Sequence, residues 1–319
     1  MKRVKGVTVA VGIIGLALGS SAIAQPSAIP PDVAAKVRAL GPVLNDEVRS
    51  SARSAYTPLQ PKIGPEILVN VDISYGPDER HKLDVFAPTE KPPQPAPVVI
   101  HFHGGAYVRG DKTTAGTPFH GHIAAFWVRN GFVGVNATYR LAPKHQWPAG
   151  AQDVGAAAKW VRTNISAYNG DPNRIVLMGH SAGASHVAGY LFHRQLQPAN
   201  GDDGVIGAIL LSGGYDPTSG MTDGRRAYYG EDQSLYAARS ALRHVAARAT
   251  PIFIGFAEYD PPRFQIEAIK LFKALCERDN RCPPMTQLRG HNHTTEVYHI
   301  GTTDESLAAE IIAFVRGLK

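Results

Sequence analysis

Ser181 lies in Gly179-His180-Ser181-Ala182-Gly183, behind the apolar run Ile175 to Met178 and ahead of a small-residue stretch from Ala184 to Leu191. A strand, a tight turn carrying a serine, and a helix form the setting in which G-x-S-x-G presents a nucleophile. Little bulk two residues to either side lets the hydroxyl project clear of a strained turn. The N-terminus of the following helix favours developing negative charge. A serine hydroxyl is a weak nucleophile, however. Acyl transfer also requires a base within reach, an acid to orient the base, and donors for the oxyanion.

In open parallel sheets such groups gather beyond the carboxyl ends of strands. One strand end carries His103-Gly104-Gly105-Ala106-Tyr107. Its glycines let the backbone fold inward, so the N–H groups of Gly105 and Ala106, with that of Ala182, are the expected oxyanion donors. His103 is expected to hold the loop by hydrogen bonds. A later strand end carries Glu258-Tyr259-Asp260-Pro261-Pro262. Asp260 suits both a helix cap and the orienting acid. Chain order favours it for the acid, with Glu258 as the runner-up. The last strand end carries His291-Asn292-His293, and spacing alone leaves both histidines open as the base. The pairs His101/His103 and His120/His122 invite a zinc reading, but no H-E-x-x-H occurs and the serine chemistry needs neither metal nor cofactor.

The elements needed to position these groups are legible as alternating patterns. Residues 67–74 and 82–86 alternate like strands around a Gly76-Pro77-Asp78 turn. From Val98 onward, strands are expected at 98–103, 132–139, 175–178, 205–211, 251–256 and 285–288. Helices are expected at 120–130, 149–164, 184–197, 262–278 and 304–318. This alternation predicts an α/β fold, a mostly parallel central sheet with helices on both faces, within 67–319. Two further elements are expected to form a small cap. One is a proline-rich arm, 25–66, with short helices at 32–40 and 44–54. The other is an insertion, 213–249, rich in tyrosine. Tyr107 and Tyr215 are the expected substrate contacts, with Phe119, Trp127 and Tyr229 as further candidates for the lining.

The chain has 319 residues, 44% of them apolar and 19% charged, which suits one large domain and argues against disorder. The net charge is +6, but Lys2, Arg3 and Lys5 belong to an N-terminal leader and no other basic block occurs. Nucleic acid is therefore not an expected partner. The leader continues as an apolar stretch, Val7 to Leu18, too short to span a bilayer comfortably, and ends in Ala22-Ile23-Ala24. Residues 1–24 read as a signal peptide, so the protein is expected to be exported, to a periplasm or to the outside. In that setting Cys276 and Cys282, the only cysteines, are expected to form a disulfide.

Taken together, the motifs resemble those of α/β-hydrolases of the esterase and lipase branch. The chain is similar to hormone-sensitive-lipase-type carboxylesterases and to kynurenine-formamidase-like enzymes. The residues that carry the resemblance are His103 to Tyr107, Tyr139-Arg140-Leu141-Ala142-Pro143 with Pro148, Ala149 and Asp153, Gly179 to Gly183, Glu258 to Pro262, and Gly290 to His293. The resemblance implies a Ser181–His293–Asp260 order. It selects His293 by analogy with a histidine followed by a small or aromatic residue, although Thr294-Thr295 departs from that pattern. Ala106 departs where many relatives carry a third glycine. Asp153 is implied to brace the 139–149 loop together with Arg140. The implied activity is hydrolysis of small to medium acyl or aryl esters through an acyl-enzyme. An amidase or formamidase, and a non-catalytic binding protein on the same scaffold, are the alternatives.

Overall fold

Pro31 at a first helical position and Asn45 at an N-cap set the first two helices, α1 (Pro31–Leu40) and α2 (Asp46–Tyr56), in the computed structural model, which describes residues 29–318. The Asn45 side chain accepts the Val48 N–H at 2.8 Å, a cap worth about 1 kcal/mol. The expected signal peptide lies outside the described residues. Among the described residues, no helix is long and apolar enough to cross a membrane.

Eight strands follow: β1 (Ile67–Ser74), β2 (Lys82–Pro88), β3 (Ala96–Phe102), β4 (Val133–Ala137), β5 (Gly170–His180), β6 (Val205–Leu211), β7 (Ile252–Tyr259) and β8 (Met285–Asn292). They form one sheet in the order β1-β2-β4-β3-β5-β6-β7-β8. The β1–β2 and β2–β4 pairs are antiparallel, and every pair from β4 onward is parallel. The helices after the arm are α3 (Gly121–Arg129), α4 (Ala149–Asn164), α5 (Ala182–Phe192), α6 (Asp223–Tyr229), α7 (Tyr236–Arg239), α8 (Pro262–Asp279), α9 (Thr295–Tyr298) and α10 (Ala308–Gly317).

Apolar residues on both sides of each central strand explain why both faces are covered. Ile175 and Leu177 of β5 join the core beneath α4, α5 and α8, with Val154, Leu191 and Leu271. Val176 and Met178 join the opposite core beneath α3 and α10, with Trp127 and Ile311. Alternate residues of one strand thus anchor two helical layers, and β5 delivers Ser181 from the centre of the sheet.

Among the boundaries that differ from the sequence expectation, three have a visible local cause. The Gln197 side chain donates to the Leu191 carbonyl at 2.7 Å, and α5 ends at Phe192 instead of reaching Gln197. β8 runs beyond Leu288, pairing Asn292 with Tyr259. The closing helix starts at Ala308, because Asp304 is held outside it by His291 and by the Ser306 N–H. Cys276 and Cys282 are joined as a disulfide that closes the loop between α8 and β8.

Candidate active site

The turn from β5 into α5 holds Ser181 at φ 55° and ψ −120°, a conformation that L residues adopt only under constraint. Packing supplies that constraint. The Ser181 N–H donates to Leu211 O at 2.8 Å. A Cβ at Gly183 would come within 2.1 Å of Phe102 O, so only glycine lets α5 start this close to β3.

His293, in the turn after β8, reaches Ser181 and Asp260 with its two ring nitrogens. Nε2 accepts from Ser181 Oγ at 2.9 Å, and Nδ1–H donates to Asp260 Oδ1 at 2.7 Å. All three side chains are buried. His291 points elsewhere. Its Nε2–H donates to Asp304 Oδ2 at 2.9 Å, away from the serine. Of the two histidines that spacing left open, His293 is the one brought to Ser181. Glu258 makes no hydrogen bond or ion pair with either histidine. Its carboxylate accepts the Gly290 N–H at 2.7 Å and clips the β7 loop to β8.

The loop after β3 curls over Ser181. Gly105, Ala106 and Tyr107 all have positive φ, at 144°, 51° and 69°. At Gly105 a Cβ would lie 1.8 Å from Arg109 O, so the tight curl there requires glycine. Among the described residues, the N–H groups of Gly105 and Ala106 donate to no protein acceptor. The Ala182 N–H lies in the first turn of α5, where helical N–H groups have no intrahelical partner. His103 Nδ1–H donates to Gly104 O at 2.7 Å, and its ring stacks on Tyr139 at 4.4 Å. Burial pushes the His103 imidazole down to about 3, so it is a neutral strut.

The cleft above Ser181 encloses about 630 Å³. Its walls come from α2 (Leu44 just before it, then Asp46, Arg49 and Arg53), the loop after β3, α6 (Asp223 to Arg225) and the start of α8. The arm and the insertion both reach the mouth. Gly224 of α6 sits against the oxyanion loop, where a Cβ would be 2.3 Å from Ala106 O. Tyr107 lines the cleft, and its hydroxyl donates to Ser185 Oγ at 2.9 Å.

Tyr215, expected as a substrate contact, is not in the cleft. It is 1% exposed and packs in the core beneath α4 and α5. The cause is Glu267, whose carboxylate accepts the backbone N–H groups of Tyr215 and Asp216 and fixes the loop with the ring turned inward. Phe119, Trp127 and Tyr229 are likewise buried and outside the lining, whereas Phe264 and Tyr298 line it. Asp153 and Arg140 do meet. Asp153 Oδ2 accepts the Arg140 N–H at 2.7 Å, and His81 adds a third contact at 3.0 Å.

Two residues behind Asp260 carry no sequence signature. Ser212 Oγ donates to Asp260 Oδ2 at 2.5 Å and is also hydrogen-bonded to Glu296 Oε2. A hydroxyl has one proton, so both carboxylates cannot be ionised acceptors of it. Glu296 is the one that stays protonated. Complete burial, then the neighbouring Asp260 charge, hold its carboxyl well above the usual range. The resulting series runs from the Glu296 carboxylic acid through Ser212 and Asp260 to His293 and Ser181. His180, kept neutral by burial and by His293, donates Nε2–H to His293 O at 2.8 Å and steadies the same turn.

Among the described residues, neither His101/His103 nor His120/His122 belongs to a group of three metal-ligating side chains. The groups with suitable spacing are His180–His293–Glu296, within the site itself, and His291–His299–Asp304, where His291 and Asp304 already pair.

Residues 83–196, which span the oxyanion loop and the serine turn, match the BD-FAE family. The chain is 33% identical over 188 residues to esterase LipC of Mycobacterium tuberculosis, covering 56% of this chain and 46% of that protein. Over the stretch that holds the serine turn, the chain is thus similar to esterases. The chain spans about half the length of LipC, at 46%. It is also 29% identical over 210 residues to a kynurenine formamidase of Danio rerio, covering 64% of this chain and 68% of that one. Among solved structures, a hyperthermophilic esterase from Pyrobaculum calidifontis superposes with a TM-score of 0.68 at 20% identity, over 90% of this chain and 98% of the other chain. That likeness concerns the fold.

Proposed function

We propose that this protein cleaves carboxylic esters through an acyl-enzyme on Ser181. The observation that carries the reading is the series Ser181–His293–Asp260, at 2.9 and 2.7 Å, beneath unpaired N–H groups. His293 takes the Ser181 proton as Oγ attacks the ester carbonyl. Asp260 orients the imidazole and balances its charge. The N–H groups of Gly105, Ala106 and Ala182 receive the oxyanion. His293 then protonates the departing alcohol. Water, deprotonated by the same histidine, cleaves the acyl-enzyme and restores Ser181. A cleft of about 630 Å³ suits small to medium acyl or aryl groups. The leader pattern at 1–24 and the disulfide both favour a site of action outside the cytoplasm.

The test is hydrolysis of p-nitrophenyl acetate by wild type and by Ser181→Ala. The variant should fold with unchanged circular dichroism and lose turnover by at least about a thousandfold. Wild-type rates in the variant would rule the reading out. The likeness to a kynurenine formamidase supports a second reading, cleavage of N-formyl amides by the same groups. A matched pair, phenyl formate and formanilide, separates the two by the ratio of their kcat/KM values.

A further inference from the structure

Five arginines line the cleft: Arg49, Arg53, Arg109, Arg225 and Arg263. Arg49 pairs with Asp46, and Arg225 with Glu267. Among the described residues, Arg53, Arg109 and Arg263 have neither an ion-pair partner nor a side-chain hydrogen bond. On the acidic side of the same walls, Asp46 is occupied by Arg49, and Asp111 faces Arg80 at 3.4 Å. That leaves Asp223 as the acid without a pair, against three free guanidinium groups.

Two of these arginines stand at the cleft wall without a polar partner, Arg53 half-buried and Arg263 exposed. Arg53 Nε is buried and has no acceptor. Arg263 lies with its guanidinium carbon 4.5 Å from the Phe264 ring centroid, and that ring stacks on His293 at 4.2 Å. Arg263 therefore stands one aromatic ring away from the base. Burial, then repulsion from Arg225, disfavour its charge. Glu267 and Asp260 favour the Arg263 charge in part, whereas the buried Arg53 Nε–H without an acceptor raises the energy of the empty site, a cost that a bound anion offsets. A guanidinium offers a planar fork of donors that matches a carboxylate.

We propose that the cleft selects esters that also carry a free carboxylate, held by Arg53 and Arg263, with Arg109 adding attraction at the mouth. The proposal rests on the ester-hydrolase reading and narrows its substrate class. Two free cations at a partly screened mouth are worth about 1 kcal/mol each, or roughly fivefold apiece in kcat/KM.

The test compares each acid with its neutral amide of the same shape. One pair, 4-acetoxybenzoate and 4-acetoxybenzamide, places the charge on the leaving group. The other, monoethyl adipate and the ethyl ester of adipamic acid, places it on the acyl side. Wild type should prefer the acid in at least one pair by roughly tenfold. That preference should shrink as ionic strength rises past about 0.1 M, where the screening length falls to about 10 Å. Arg53→Gln and Arg263→Gln should each lower the acid-to-amide ratio about fivefold, and Arg263→Lys should restore part of it. Equal rates within both pairs, or a ratio unchanged in both glutamine variants, would overturn the proposal while leaving ester hydrolysis intact. Failure to cleave any of the four esters while p-nitrophenyl acetate is still hydrolysed would overturn the proposal alone, and failure on p-nitrophenyl acetate as well would remove the underlying reading with it.

Discussion

Ser212 Oγ lies 2.5 Å from Asp260 Oδ2, so the carboxylate that pairs with His293 is itself held by a hydroxyl. Asp260 Oδ2 also accepts the Ala257 N–H at 2.8 Å, which leaves Oδ1 to face the imidazole. A carboxylate with two donors on one oxygen has little freedom to rotate away from the ring. Glu296, on the far side of Ser212, completes a buried series that ends at the nucleophile.

Ser212→Ala removes one donor from a buried carboxylate. Hydrogen bonds to charged groups contribute about 1.5–3 kcal/mol, so kcat/KM should fall by roughly tenfold to a hundredfold. A carboxylate with one donor fewer also attracts the imidazolium more strongly, and the acidic limb of the pH–rate profile should move to higher pH. A purely structural serine would lower the rate without moving that limb.

Glu296→Gln tests the proton on Glu296. The amide keeps the shape of the neutral acid and can still donate to Ser212, so activity at neutral pH should stay within a fewfold of wild type. The stability comparison is more direct. The folded-state value of Glu296 is raised above its ordinary value of 4.5. Its contribution to stability is therefore fully present below about that pH and declines as pH rises toward the folded-state value. Glutamine lacks this dependence. In urea unfolding across the same range, the variant should gain on wild type as pH rises, and a constant difference would show that Glu296 is ionised in the fold.

Acid should destabilise this protein earlier than carboxylates alone predict. Burial holds His103, His122, His186 and His299 at about 3 and His120 at about 4, against an ordinary 6.5. These rings are neutral in the fold but take up protons when unfolded. Their contribution is present above about 6.5 and is lost as pH falls toward 3–4, by up to roughly 1.4 kcal/mol per pH unit for each ring. Urea unfolding should show stability falling steeply from pH 6.5 downward. A flat profile to pH 5 would contradict the burial of neutral histidines.

Gly105→Ala places a Cβ against Arg109 O, where 1.8 Å is available, at a residue with φ 144°. The loop must shift, and the Gly105 and Ala106 donors shift with it. Loss of one oxyanion donor costs about a hundredfold in kcat, so a fall of that order is expected with KM much less affected. An unchanged kcat would mean that this loop does not receive the oxyanion.

The serine turn, the oxyanion loop and the acid's loop were legible because each follows a strand and carries glycines or prolines that serve one kind of turn. The sheet was legible for the same reason: β5 and its neighbours are continuous apolar runs, as strands buried on both faces must be. Glu296 and Ser212 left no such trace. Each is a lone polar residue whose meaning comes from a partner far along the chain. Tyr215 was misread because an aromatic residue in an insertion suggests a pocket wall. Its orientation depends on Glu267, about fifty positions away, and local pattern holds no record of that contact. His291 and His293 are indistinguishable by spacing; Asp304 separates them by holding His291 aside.

The central claim is that Ser181 is the group acylated during turnover. Treatment with a fluorophosphonate, followed by intact-protein and peptide mass spectrometry, tests it most directly. One adduct per chain is predicted, on the peptide containing Ser181, with esterase activity falling in step with labelling. Full activity in protein labelled at Ser181, or an adduct on Ser185 or Ser212 instead, would contradict the account.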